Sequence, residues 1–263
     1  MTTYLLPDCH PFGHEIHRSF DEFGPLQVFD DGNKRYLSFG TADEQSCQLK
    51  QQPLQLQHDY LRAMLAVTCQ LPGAELQPGH ATVLGLGGGL LAAKLWQLLP
   101  AWQIQAVELR PAVVRIARQY FALPRDTRLQ VEVDSAQHFV NQAVARQQST
   151  GLLFSDLYLA DGLSAEQQQQ EFLQQCGRYV SDDGWLVLNL WKEHKAEGHI
   201  LQQLQHDFST VLQATTHDGN WLIWASRRPA REKQAARQQC KQLQPQLGFN
   251  PWSYAKQFYR HRS

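Results

Sequence analysis

Residues 83–108 read VLGLGGGLLAAKLWQLLPAWQIQAVE. An apolar strand runs into Gly85-Leu86-Gly87-Gly88-Gly89, a helical pattern follows to Leu99, and a second apolar strand ends at Glu108. A side chain in the glycine turn would hold the backbone away from a ligand, so glycine there permits close approach. A carboxylate about 20 residues past such a turn can take the two hydroxyls of a ribose. The stretch therefore predicts a nucleoside site at the carboxyl edge of a parallel sheet. No Gly-Lys-Ser/Thr follows the turn, which excludes a P-loop.

Working downstream, strand and helix alternate. Strands are predicted at 81–86, 103–108, 129–133, 152–155 and 185–190, with helices at 89–99, 111–121, 135–146, 165–180 and 199–208 between and after them. Pro111 suits a first helical turn and Ser135 an N-cap. Two last strands, 210–214 and 220–225, flank an Asp218-Gly219 hairpin signal. Such alternation predicts a parallel sheet covered on both faces, with ligands at the strand ends. Gln167–Gln170 reads as a polar helix face.

Upstream, short alternating runs at 16–20, 26–29 and 36–39 are separated by Phe23-Gly24-Pro25 and Asp30-Asp31-Gly32-Asn33. They predict a small antiparallel sheet of hairpins. A helix is predicted over 53–71. The division is then 1–52 for the β-hairpin domain, 53–226 for a nucleoside-binding catalytic domain and 227–263 for a basic tail. That tail is predicted helical over 231–243 and irregular and aromatic beyond.

The bulk numbers narrow the function classes. The 263 residues are 43% hydrophobic, enough for a core, and no run approaches the roughly 18 apolar residues of a membrane span. The opening MTTYLLPDCHPFGHE lacks the basic start and apolar core of a secretory signal. Five scattered cysteines without a C-x-x-C point to reduced thiols and a cytoplasmic setting. Cys9, His10, His14 and His17 lie close together, but no second cluster is spaced like a zinc site, so no metal is expected. Residues 227–263 hold 9 Lys/Arg against 1 acid, while 1–226 hold 15 against 24. The acidic body favours a cationic small substrate and opposes nucleic acid. The basic tail reads as a solvated helix folding back on that body.

Four strand ends carry the candidate chemistry: the glycine turn, Glu108, Asp134-Ser135 and Ser155-Asp156. In the parallel sheet just predicted, such ends converge on one crevice. Glu108 either holds a ribose or pairs with Arg110. Asp134 either accepts from the exocyclic amine of adenine or competes with Ser135 as a helix cap. Asp156 follows the apolar run Leu152-Leu153-Phe154-Ser155, and an acid at a buried edge is either a cap or a reacting group. Tyr158 and Asp161 follow in a loop that either closes over a substrate or is ordinary turn chemistry.

The segments GLGGG, AVELRPAVVRIARQYF, VEVDSAQHF, LLFSDLYLADG and GWLVLNLW resemble the spermidine synthase family of aminopropyltransferases, most of all its divergent bacterial spermidine synthase-like branch. The likeness spans about residues 14–226. It implies a class I methyltransferase-like, Rossmann-like seven-stranded α/β sheet with a small N-terminal antiparallel β domain. It implies decarboxylated S-adenosylmethionine as co-substrate, a polyamine acceptor such as putrescine, a homodimer and no metal. Gly85, Gly87, Gly88, Gly89, Glu108, Leu109, Asp134 and Ser135 would then surround the nucleoside. Asp156 would be the catalytic acid, with Gln45, Tyr60, Tyr158 and Asp161 on the acceptor side. Gly88 stands where the family carries Asp in Gly-Gly-Gly-Asp-Gly, and Leu159 stands where it carries a second catalytic-loop Asp. A methyltransferase using S-adenosylmethionine itself and a non-catalytic scaffold are the alternatives on the same fold.

Overall fold

The computed structural model describes residues 11–41, 44–71, 78–159, 162–163 and 165–259. Four strands open the chain: β1 (His14–Asp21), β2 (Gly24–Asp31), β3 (Lys34–Ser38) and β4 (Glu44–Leu49). They pair in sequential antiparallel order. The first turn is set by Asp21, whose Oδ1 accepts the Phe23 amide at 3.0 Å, and the second by Gly32 at φ +54. Strand β4 is an addition to the three predicted runs; its polar composition, EQSCQL, hides it from a hydrophobicity reading. Leu26, Val28, Leu37 and Phe39 of this sheet form one core cluster with Ala112, Val113, Ile116 and Phe121 of the following domain.

The helix predicted over 53–71 is shorter. Helix α1 spans Asp59–Leu65 and continues as a 3₁₀ turn, Ala66–Gln70. Residues 53–55 form a turn, the Gln55 amide donating to the Gln52 carbonyl at 2.9 Å, and the Arg62 guanidinium donates to the Leu56 carbonyl at 2.7 and 2.9 Å.

The main sheet contains β5 (His80–Leu84), β6 (Gln103–Glu108), β7 (Leu129–Val133), β8 (Thr150–Ser155), β11 (Val180–Trp191), β12 (Thr210–Thr215) and β13 (Asn220–Ser226); β9 (Tyr158–Leu159) and β10 (Gly162–Leu163) form a separate two-residue ribbon. Its order is β12-β13-β11-β8-β5-β6-β7. Strands β5, β6, β7, β8 and β11 run parallel, and β13 pairs antiparallel with both β11 and the edge strand β12. From β5 the chain builds β6 and β7 on one side, then crosses back to β8 on the other. The reversal opens a crevice beyond the carboxyl ends of β5 and β8, where α/β sheets bind ligands. Helices α2 (Leu90–Leu98), α3 (Pro111–Tyr120), α4 (Ala136–Ala145), α5 (Gln170–Tyr179) and α6 (His199–Asp207) cover the faces. Gln169 interrupts the helix predicted over 165–180, leaving a 3₁₀ turn at Ala165–Gln168 ahead of α5.

The tail is more ordered than predicted. Helix α7 (Lys233–Leu247) is followed by α8 (Trp252–Phe258) where irregular chain was expected. The aromatics that suggested irregularity are instead core contacts. Phe258 stacks on Trp224 at 3.7 Å, and the Tyr259 hydroxyl accepts from Gln70 at 2.8 Å while donating to the Arg231 carbonyl. Lys233, Arg237 and Lys241 lie four residues apart and exposed, a solvated basic face. No helix among the described residues is long and apolar enough to cross a membrane.

Candidate active site

The glycine turn and Asp156 are locked together by main chain. The Asp156 amide donates to the Leu84 carbonyl at 2.9 Å, and the Gly85 amide to the Val107 carbonyl at 2.9 Å. Gly85 sits at φ +88, and a Cβ there would drive into the Asp156 carbonyl oxygen. Glycine is required at that position by both conformation and space.

Glu108 is buried beside this turn. Its Oε2 accepts the Leu86 amide at 3.0 Å and its Oε1 the Arg110 amide at 2.9 Å. Burial pushes its carboxyl up, and the amides oppose that shift. The pairing with the Arg110 side chain that sequence left open is not made. The Arg110 guanidinium instead grips Asp21 in two hydrogen bonds, 2.7 and 3.0 Å, and the Gly24 carbonyl at 3.0 Å. That ties the N-terminal sheet to the end of β6. Ser46 of β4 makes a second tie, its Oγ accepting the Gly88 amide at 2.8 Å. A Cβ on Gly88 would lie 3.0 Å from Ser46 and Phe121, so the room an aspartate needs is occupied.

Ser135 is the cap of α4, its Oγ accepting the His138 amide at 3.1 Å. Asp134 is therefore free of the cap. Its Oδ1 accepts the Ser135 amide at 2.8 Å and its Oδ2 accepts from His138 Nδ1 at 2.6 Å.

These residues enclose a cavity of about 310 Å³ whose lining includes Phe23, Gly85, Gly87, Glu108, Leu109, Arg110, Asp134, Ser135, Asp156, Gln45, Tyr60 and Tyr158. Gly88 and Gly89 shape the turn from behind, where Gly89 at φ +79 faces Leu123. A second cavity of about 740 Å³ is lined by Glu44, His58, Asn189, Trp191, Glu193 and Asp218 among others, and shares Gln45, Tyr60 and Tyr158 with the first. Asp156 lines the first cavity. Asn189, on the second cavity, donates from Nδ2 to Asp156 Oδ1 at 2.8 Å. The Tyr60 hydroxyl also donates to Asp156. Burial raises the Asp156 carboxyl to about 6, against the two hydrogen bonds that lower it. Burial likewise pushes up the Tyr60 and Tyr158 hydroxyls, with the Asp156 charge adding to both shifts.

Three members of this network were not singled out in sequence. Asn189 is held from behind by Asn220, which donates to its Oδ1 at 3.1 Å. Gln167, read as part of a polar helix face, is fully buried. Its Nε2 donates to the Asn189 carbonyl at 2.6 Å, and its Oε1 accepts from Ser155 Oγ and the Leu157 amide. Trp191 packs its ring 5.9 Å from that of Tyr158 on the rim. Asp161 lies outside the described residues, as do Cys9 and His10.

Sheet order, glycine turn and strand-end acids together define the class: a class I methyltransferase-like fold carrying an N-terminal antiparallel sheet. The chain is 28% identical to the polyamine aminopropyltransferase of Chromobacterium violaceum over 250 residues, covering 91% of each chain. Among solved structures it is similar to a probable spermidine synthase from Corynebacterium glutamicum, with a TM-score of 0.71 and 18% identity over 88% of this chain and 86% of that one. It is also similar to human methyltransferase-like protein 13 in complex with SAH, with a TM-score of 0.66 and 20% identity over 73% of this chain and 93% of that one. No family model matches the chain. The chain is thus similar in sequence to a polyamine aminopropyltransferase and in fold to a probable spermidine synthase.

Proposed function

We propose that the protein transfers an aminopropyl group from decarboxylated S-adenosylmethionine to an amine of the polyamine class. The observation that carries the reading is Asp156, an acid raised to about 6 that lines the first cavity and is hydrogen-bonded to Asn189 on the second. The smaller cavity would hold the nucleoside, with Glu108 on the ribose, Asp134 and Ser135 toward the adenine, and Leu109 on the rim. The larger would hold the acceptor against Tyr60, Tyr158 and Gln45, its wall supplied with Glu44, Glu193 and Asp218. Those acids would attract a cationic chain.

The sulfonium is already an activated leaving group, so the protein's task is alignment. The amine lone pair attacks the carbon next to sulfur. The new N–C bond forms as the C–S bond breaks, and sulfur leaves as neutral methylthioadenosine. A free amine with a pKa near 10 is protonated at neutral pH and cannot attack. Asp156 is ionised there yet basic enough to accept that proton. The free buried thiols of Cys47, Cys69, Cys176 and Cys240 accord with a reducing, cytoplasmic setting.

A ligand series on melting temperature tests the reading. A ligand at 100 times its dissociation constant stabilises by about 2.7 kcal/mol. Stabilisation by decarboxylated S-adenosylmethionine and methylthioadenosine, stronger than by the intact cofactor, is expected. Preference for the intact form would transfer the reading to methyl transfer, and silence toward all three would leave a scaffold.

A further inference from the structure

We propose that Glu44, Cys47 and His58 form a site for a zinc-class divalent cation on the wall of the second cavity. The three come from β4 and from the residue ahead of α1, and their donor atoms all lie within 4.8 Å of one another. Glu44 Oε1 and His58 Nε2 are 3.3 Å apart. Two ligands about 2.0–2.1 Å from a tetrahedral zinc lie roughly 3.3 Å apart, the same separation. His58 Nε2 is buried and makes no hydrogen bond among the described residues. A cation held between this nitrogen and the Glu44 carboxylate would satisfy both.

Cys47 completes the set as a buried thiol. Binding would break its S–H bond, form a sulfur–metal bond and release the proton to solvent. A sulfur, nitrogen and oxygen set selects zinc-like metals over magnesium or calcium. Three protein ligands leave a fourth position. Glu44 and His58 both line the second cavity, so that position opens toward it. On the function proposed above, a dication there opposes a cationic acceptor and raises its KM; this consequence rests on that reading, the site itself does not.

Cobalt substitution of the full chain tests the site without turnover. One cobalt per chain with a thiolate-to-cobalt charge-transfer band is expected, and no such band in Cys47→Ser. Zinc affinity, read by competition with a chromophoric chelator, should fall at least about tenfold in His58→Gln. Wild-type protein without the charge-transfer band would overturn the proposal, whatever the variants do. So would folded variants, checked by melting, that keep wild-type zinc affinity.

Discussion

The two cavities that share Gln45, Tyr60 and Tyr158 are built from different materials. The smaller is a main-chain cradle: the glycine turn, the amides of Leu86 and Arg110 on Glu108, and the amide of Asp156 on Leu84. The larger is walled by side chains from separated segments, among them Glu44, His58, Tyr60, Tyr158, Asn189 and Trp191. A main-chain cradle holds one shape, because its geometry is written in φ angles and ladder hydrogen bonds. A side-chain wall can change its occupant by single substitutions while the sheet beneath stays put. The same sheet can thus keep the smaller cavity while the wall of the larger one changes.

The largest expected effect separates the two. Asp156→Asn should cut turnover by roughly 10²–10⁴, the worth of a positioned acid or base. Methylthioadenosine affinity, measured by calorimetry, should barely move. A parallel loss of both would erase the distinction between cradle and wall. Gly85→Ala should do the reverse and spare nothing. Its φ of +88 and the adjoining Asp156 carbonyl leave no relaxed place for a methyl group. Strain of roughly 1–3 kcal/mol should appear in urea unfolding, together with weaker nucleoside binding.

A pH series sharpens the wall side. With Asp156 raised to about 6, turnover should fall tenfold per unit below that pH. Tyr60→Phe removes a hydrogen bond that lowers this carboxyl, so the acidic limb should move to higher pH. Stability runs the other way. The folded carboxyl lies above its ordinary 3.8, so its contribution is complete below that pH and is lost as pH rises through about 6. Asp156→Asn cannot ionise and should therefore stabilise the fold at pH 7, by up to roughly 3 kcal/mol at about 1.4 kcal/mol per unit. At pH 4 its melting temperature should approach the wild-type value. An equal gain at both pH values would show that burial of the charge is not the cause.

The cradle was legible because its parts are local. Gly85, Glu108, Asp134 and Asp156 each sit at the end of an apolar strand, and strand periodicity alone brings such ends together. The wall was legible at Tyr158 from the loop that follows Asp156, and at Gln45 and Tyr60 only where the family likeness supplied it. Asn189 did carry a signal, a lone amide inside the apolar run 185–191, and a polar group in a buried strand needs a partner. Gln167 carried none, since three more glutamines follow it and only the fold singles out the buried one. Glu44, Cys47 and His58 have no ligand-like spacing; the β4 strand that turns two of them toward His58 was itself hidden by polar composition. The tail misread has a related cause. Trp252 and Phe258 looked like irregular chain because their aromatic content was weighed without the face of Trp224 that Phe258 covers.

The smallest expected effect asks whether Ser135 belongs to the cradle or only to its helix. Its hydroxyl oxygen accepts the His138 amide and so satisfies an open donor at the start of α4. Ser135→Ala should cost about 1 kcal/mol of stability, the usual worth of an N-cap. The residue also lines the smaller cavity, with its own amide donating to Asp134 Oδ1. That amide survives the substitution. If the side chain serves the helix alone, nucleoside affinity should stay within a factor of about two once the protein is folded, since no hydrogen bond worth 0.5–1.5 kcal/mol is lost to the ligand. A tenfold loss of affinity with unchanged unfolding would instead make the hydroxyl a ligand contact, and the cradle would extend beyond its main chain.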